Sequence, residues 1–144
     1  MTNVIGAPMP AGNRLHRIAA SLARPVARGW LSPDTARGSL AAFTARAHRG
    51  GKLGPYQPDD VYDTLCHTLD SRLAAEENRR DLARHRIRRT LEPMIAARQP
   101  WGALMAEAHG VNGTAGFPLT EDEVSDIVRD NVWWSLPAGG RRHG

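Results

Sequence analysis

Cysteine is nearly absent from this chain. Cys66 stands alone among 144 residues, so no disulfide can form within it, and a reducing, cytosolic setting is expected. Long apolar runs are missing as well. No stretch approaches the ~20 residues of a membrane span, and residues 1–12 show neither the basic start nor the apolar middle of a secretory signal. A soluble, cytoplasmic protein with no membrane partner is expected. Aromatic residues make up 6%, and no segment sustains alternation of polar and apolar residues, which argues against a sandwich or a barrel. Lysine is the scarcest charged residue: of 19 basic residues only Lys52 is not arginine.

The familiar signatures of catalysis are also missing. Gly50, Gly51 and Gly54 surround Lys52, but the spacing is not that of a phosphate-binding loop and no strand precedes it. With one cysteine there is no paired-thiolate zinc site. Asp63 and His67 lie four apart on a predicted helix, so both could touch one ion, but two ligands leave a site incomplete. Asp59, Asp60 and Asp63 fall in the first turns of that helix, and Glu121, Asp122 and Glu123 in those of a later one. The helix dipole accounts for both clusters. Cys66 and His67, being adjacent, diverge by about 100° around a helix and make a poor nucleophile–base pair. No enzyme, cofactor or metal is expected.

What the chain does contain is helical periodicity. After a lead of residues 1–12, a first helix is predicted over about 13–28, with Leu15, Ile18, Ala19, Leu22 and Val26 on one face. Pro25 is placed to kink or end it, and Gly29 to stop it. Ser32 and Pro33 open a second, by capping and by filling the first helical position. The glycine- and proline-rich residues 48–58 read as a loop. A third helix starts near Pro58 with Val61, Leu65 and Leu69. No glycine or proline then appears until Pro93, so either one long helix runs on, or Asn78, with Asp81 three residues on, caps a fourth over about 79–98; the break is expected because a helix much beyond ~25 residues is unusual in a small globule. A fifth follows Pro100 and stops at Gly110. Thr120 and Glu123 form a capping box for a sixth that ends near Trp133 and Trp134. The expectation is an all-α protein of about six helices in one compact bundle over 13–136, with a basic tail at 137–144.

The two halves echo each other, which leaves open two pseudo-repeated three-helix units at 13–76 and 79–136. "HRIAASLARP" at 16–25 resembles "HRIRRTLEP" at 85–93, and "YQPDDVYDTL" at 56–65 resembles "FPLTEDEVSDI" at 117–127. On the first pairing Arg17 matches Arg86.

"GNRLHRIAASLARPVARGWL" supplies Gly12, Asn13, Arg14, Leu15, Ala19, Leu22 and Gly29 in a glycine–arginine–leucine–alanine pattern. "PLTEDEV", Pro118 to Val124, supplies the opening of a closing helix. In these residues the chain resembles the small helical domain C-terminal to primase–polymerase modules of phage and plasmid replication proteins. Asn13 and Arg14 stand in reversed order, the two motifs are further apart than one such domain needs, and no polymerase or helicase sequence accompanies them. The resemblance implies an all-helical fold and a role in DNA transactions of a mobile element. It implies no catalytic residue.

The net charge of +4 and the pI near 10.2 favour an acidic partner. "ENRRDLARHRIRR", residues 77–89, concentrates six arginines. On a helix Arg79, Arg86 and Arg89 cluster opposite the Ile87–Leu91 face, with Arg84 and Arg88 at its edges. Arg14, Arg17, Arg24 and Arg28 form a second basic set on the first helix. Arginine suits bidentate phosphate recognition, although a GC-rich genome yields the same bias, and a charged helix face with Glu76, Glu77 and Asp81 as partners is the competing reading. The predicted function is backbone-directed binding of DNA or RNA in replication or regulation of a phage or mobile element, through Arg14, Arg17, Arg79, Arg86 and Arg89. The alternative is a small adaptor, regulator or inhibitor that binds a replication or transcription protein through Trp133 and Trp134, since tryptophan is enriched at interface hot spots.

Overall fold

The computed structural model describes residues 12–136; the lead and the basic tail lie outside them, apart from Gly12. Five helices follow one another: α1 (Gly12–Ala27), α2 (Pro33–Arg49), α3 (Pro58–Ala96), α4 (Trp101–Thr114) and α5 (Glu121–Ser135). Among the described residues there is no strand, so the chain is all-α. The chain divides into two compact units, at Glu76 and Glu77 within α3.

Five helices replace the expected six because Asn78 does not cap. α3 runs through it for 39 residues. Between Pro58 and Pro93 the chain has no glycine or proline, and Ala74, Ala75, Glu76, Glu77, Arg79 and Arg80 are strong helix formers. One asparagine costs well under ~1 kcal/mol there, too little to break the run. One further boundary moves. Gly110 lies inside α4, which continues to Thr114. Pro25 and Pro93 lie inside α1 and α3, each within one turn of the end.

The local start signals are present. Ser32 Oγ accepts from the Thr35 N–H at 3.1 Å. Thr120 and Glu123 satisfy each other's backbone N–H groups, at 3.2 and 3.0 Å. Four helices close with the same six-residue backbone bond: Trp30 to Pro25, Lys52 to Ala47, Gln99 to Met94 and Phe117 to Asn112. Each needs a left-handed residue just past the helix. Gly29, Gly51 and Gly116 supply three, and Arg98, with φ 58°, supplies the fourth.

The first unit packs α1, α2 and the first half of α3 around Leu15, Ala19 and Ala23, then Ala36 and Leu40, then Val61, Leu65 and Leu69, with Leu53 of the α2–α3 loop also buried. The second packs the rest of α3, α4 and α5 around Ala83, Ile87 and Leu91, then Leu104 and Ala108, then Val124 and Val128. In both units the buried residues step by four along each helix, the stripe that faces a core. Pro25 follows Ala23 by two, as Pro93 follows Leu91. In this register His85, not Arg86, is the counterpart of Arg17, so the His-Arg-Ile echo is one residue out of step with burial.

Candidate nucleic-acid interface

Helical geometry sorts the six arginines of 77–89 by direction, and the fold then decides what each one meets. Arg80 turns inward and its side chain is 9% exposed. It donates to the Pro118 carbonyl at 3.0 Å and to both carboxylate oxygens of Glu123. Arg84 bridges Asp81 at 3.0 Å and Glu123 at 3.2 Å. Burial pushes the Glu123 carboxyl up, but the Thr120 N–H and the Arg80 guanidinium outweigh it and hold the group below its ordinary range. These two arginines are structural: they tie the second half of α3 to the start of α5.

The remaining four face out. Arg79, Arg86, Arg88 and Arg89 are exposed. Among the described residues no ion pair engages Arg86, Arg88 or Arg89. Arg88, expected at the edge of the core, is exposed there and lies on the flank of α3 that faces the end of α5.

Two grooves flank this face. One, of about 640 Å³, lies between α3 and α4 and is bordered by Leu82, His85, Arg86, Arg89 and Glu107. The other, of about 380 Å³, lies between α3 and the end of α5 and is bordered by His85, Arg88, Arg89, Glu92, Asn131 and Trp134. Arg89 and His85 belong to both. Trp134 is 69% exposed, whereas Trp133 is half-buried and Val132 packs against the core. The arginine face and the tryptophan pair were candidates for two separate functions. The fold brings Arg88, Arg89 and Trp134 to the same groove. Sequence periodicity could not reveal this, because it does not say which flank of α3 the α5 terminus lies on.

Arg14 and Arg17 belong to the first unit and border different grooves. Arg14 shares one of about 300 Å³ with Arg46, Lys52 and an apolar floor of Leu15, Ile18 and Phe43. Arg17 lines another with His16, Thr68 and Arg72, where His16 and Thr68 are hydrogen-bonded at 2.9 Å. Arg24 is held by Glu76 at 3.4 Å, and Arg28 lies 5.1 Å from the centre of the Trp30 ring. The basic set of α1 is therefore partly committed to packing and ion pairs, and is not one ridge.

Other chemistry is sparse. Among the described residues no three of His, Cys, Asp or Glu are grouped to hold a metal ion. Asp63 and His67 are both exposed. Cys66 is half-buried, and hydrogen bonding to it raises the Tyr62 phenol above its ordinary range. Among the described residues no helix is long and apolar enough to cross a membrane. The chain matches no family model, no curated protein and no solved structure, so what it does has to be inferred from its own residues.

Proposed function

We propose that this protein binds nucleic acid without catalysing a reaction, and that it contacts phosphate through Arg86, Arg88 and Arg89 on the solvent side of α3, with Arg79 about two turns from Arg86. The carrying observation is the division of labour among the arginines. Arg80 and Arg84 hold the unit together, and three others stay outside with no described carboxylate on them. Arg89, with Arg86 on one side and Arg88 on the other, spreads positive charge across the solvent side of α3; Glu107 and Glu92 border the same grooves, but none of the three arginines is in a described ion pair, which leaves an electrostatic footprint for a phosphate chain. Arg14, Arg46 and Lys52 around one groove of the first unit supply further positive charge. The resemblance to the helical domain of primase–polymerase proteins adds a setting, replication or regulation of a phage or mobile element.

The test is binding of fluorescent single- and double-stranded DNA across a salt series, for the wild-type chain and Arg86/Arg88/Arg89→Ala. Affinity should fall with salt, and the triple variant should lose about one unit of log–log salt slope per arginine removed. No binding at low salt removes this reading. The second reading, a protein-interaction module for a replication or transcription protein anchored by Trp133 and Trp134, is favoured by the exposed ring of Trp134. It predicts loss of a protein partner in Trp134→Ala with DNA binding intact.

A further inference from the structure

The groove between α3 and α5 joins two chemistries. Its α3 wall carries His85, Arg88 and Arg89, with Glu92 as the one acid, and its α5 wall carries Asn131 and Trp134. Asn131 is held in place by donating to the Ile127 carbonyl at 2.7 Å. An indole 69% exposed beside two guanidiniums does not complete the core, since Val132 and Ile95 pack there.

We propose that the nucleic acid bound here is single-stranded, and that Trp134 is the platform on which a base stacks while Arg88 and Arg89 hold the flanking phosphates. This rests on the phosphate-binding reading above and adds the substrate class to it. In a duplex the base faces are covered by neighbouring bases, so an indole meets only edges and backbone. In a single strand every base offers a free π-face, and stacking on an aromatic side chain is tolerant of sequence. Cations beside the ring take the phosphates on either side, and the ring supplies what a purely cationic face lacks, a reason to prefer bases over any other polyanion.

The experiment compares four chains: wild type, Trp134→Ala, Trp134→Phe and Arg86/Arg88/Arg89→Ala. The probes are a fluorescent oligothymidine, a duplex of equal length and poly-glutamate, with a dichroism melt to show that each variant is folded. The wild type should prefer the single strand. Trp134→Ala should weaken single-strand binding by about tenfold to a hundredfold and leave the duplex and the salt slope unchanged. Trp134→Phe should recover most of the loss. The triple arginine variant should lose both nucleic acids. If Trp134→Ala binds the single strand like wild type while the triple variant fails, stacking is wrong and phosphate binding survives. If wild type binds poly-glutamate as tightly as oligothymidine, the base-recognition claim is wrong and the groove is a general acidic-partner site. If no oligonucleotide binds, both readings fall.

Discussion

The two units use the same spacing and close their cores differently. In the first, the polar links between helices, His16–Thr68, Arg24–Glu76 and Arg37–Asp70, lie at the surface or its edge; Leu53, 1% exposed, plugs the loop between α2 and α3, and the buried Thr44 donates to the Leu40 carbonyl of its own helix. The second has a buried loop leucine too, Leu119, but adds polar clasps that are themselves buried. Asn112, 3% exposed and two turns along α4 from Leu104 as Thr44 is along α2 from Ala36, bonds both the N–H and the C=O of Leu119. Arg80 spans to Pro118 and Glu123. Core sizes trade places too. Ala19 and Leu40 of the first unit stand where the second has Ile87 and Ala108, so large and small residues are exchanged between facing helices, as close packing requires. The lesson is that a stripe of buried positions sets the frame, while the loop chemistry decides where the unit is vulnerable.

That contrast breaks most sharply at the third residue of the last helix in each unit, Asp60 in α3 and Glu123 in α5. Glu123→Ala strands the Arg80 guanidinium in the interior and opens the capping box, and should cost about 4 kcal/mol. Asp60 is exposed and only complements the helix dipole, so Asp60→Ala should cost about 0.5 kcal/mol. Hydrogen exchange on the whole chain separates the two: Glu123→Ala should expose the amides of α4 and α5 and leave α1 and α2 protected. Equal protection in both variants would mean that the clasp contributes nothing.

A smaller effect sharpens the same comparison at the buried polar pair. Asn112→Ala leaves the N–H and C=O of Leu119 buried without partners and should cost about 2 kcal/mol. Thr44→Val removes a hydroxyl whose acceptor already serves the helix, and should change stability by about 0.5 kcal/mol or less. Denaturant unfolding with unchanged slopes would read both. A Thr44→Val as costly as Asn112→Ala would show that the first unit also depends on its polar residue.

What was legible in the sequence was local. Ser32, Pro33, Thr120 and Glu123 signal helix starts through neighbours within one turn, and the stripes of Leu65 or Ile87 are visible as spacing. The all-α fold follows from these. The break at Asn78 was inferred from typical helix length alone, and an uninterrupted run of helix formers overrides that. Arg80 was assigned no place, although its spacing of three from Ala83 and seven from Ile87 puts it on the core face; what makes an arginine tolerable there is Glu123, 43 positions away. For Arg88 spacing indicates only the edge of the core; what that flank of α3 meets is decided by the position of α5. The juxtaposition of Arg88, Arg89 and Trp134 is likewise a product of tertiary packing, which residue spacing does not encode.

The smallest expected effect concerns how the first helix of each unit ends. α1 turns off at Gly29, which has φ 76°, while α3 turns off at Arg98, which has φ 58°. The backbone closures are alike: Trp30 N to Pro25 O at 2.9 Å and Gln99 N to Met94 O at 3.0 Å. A residue with a Cβ costs roughly 1–2 kcal/mol in this conformation, part of which glycine gives back through its freer unfolded chain. Arg98→Gly should therefore stabilise the second unit by about 0.5–1 kcal/mol and raise its melting midpoint by a few degrees. Gly29→Arg should destabilise the first unit by a similar amount. Arg98 borders neither groove of the arginine face, so the substitution should also leave single-strand affinity unchanged. A fall in that affinity would place Arg98 in the binding surface and explain why an arginine occupies a position that favours glycine.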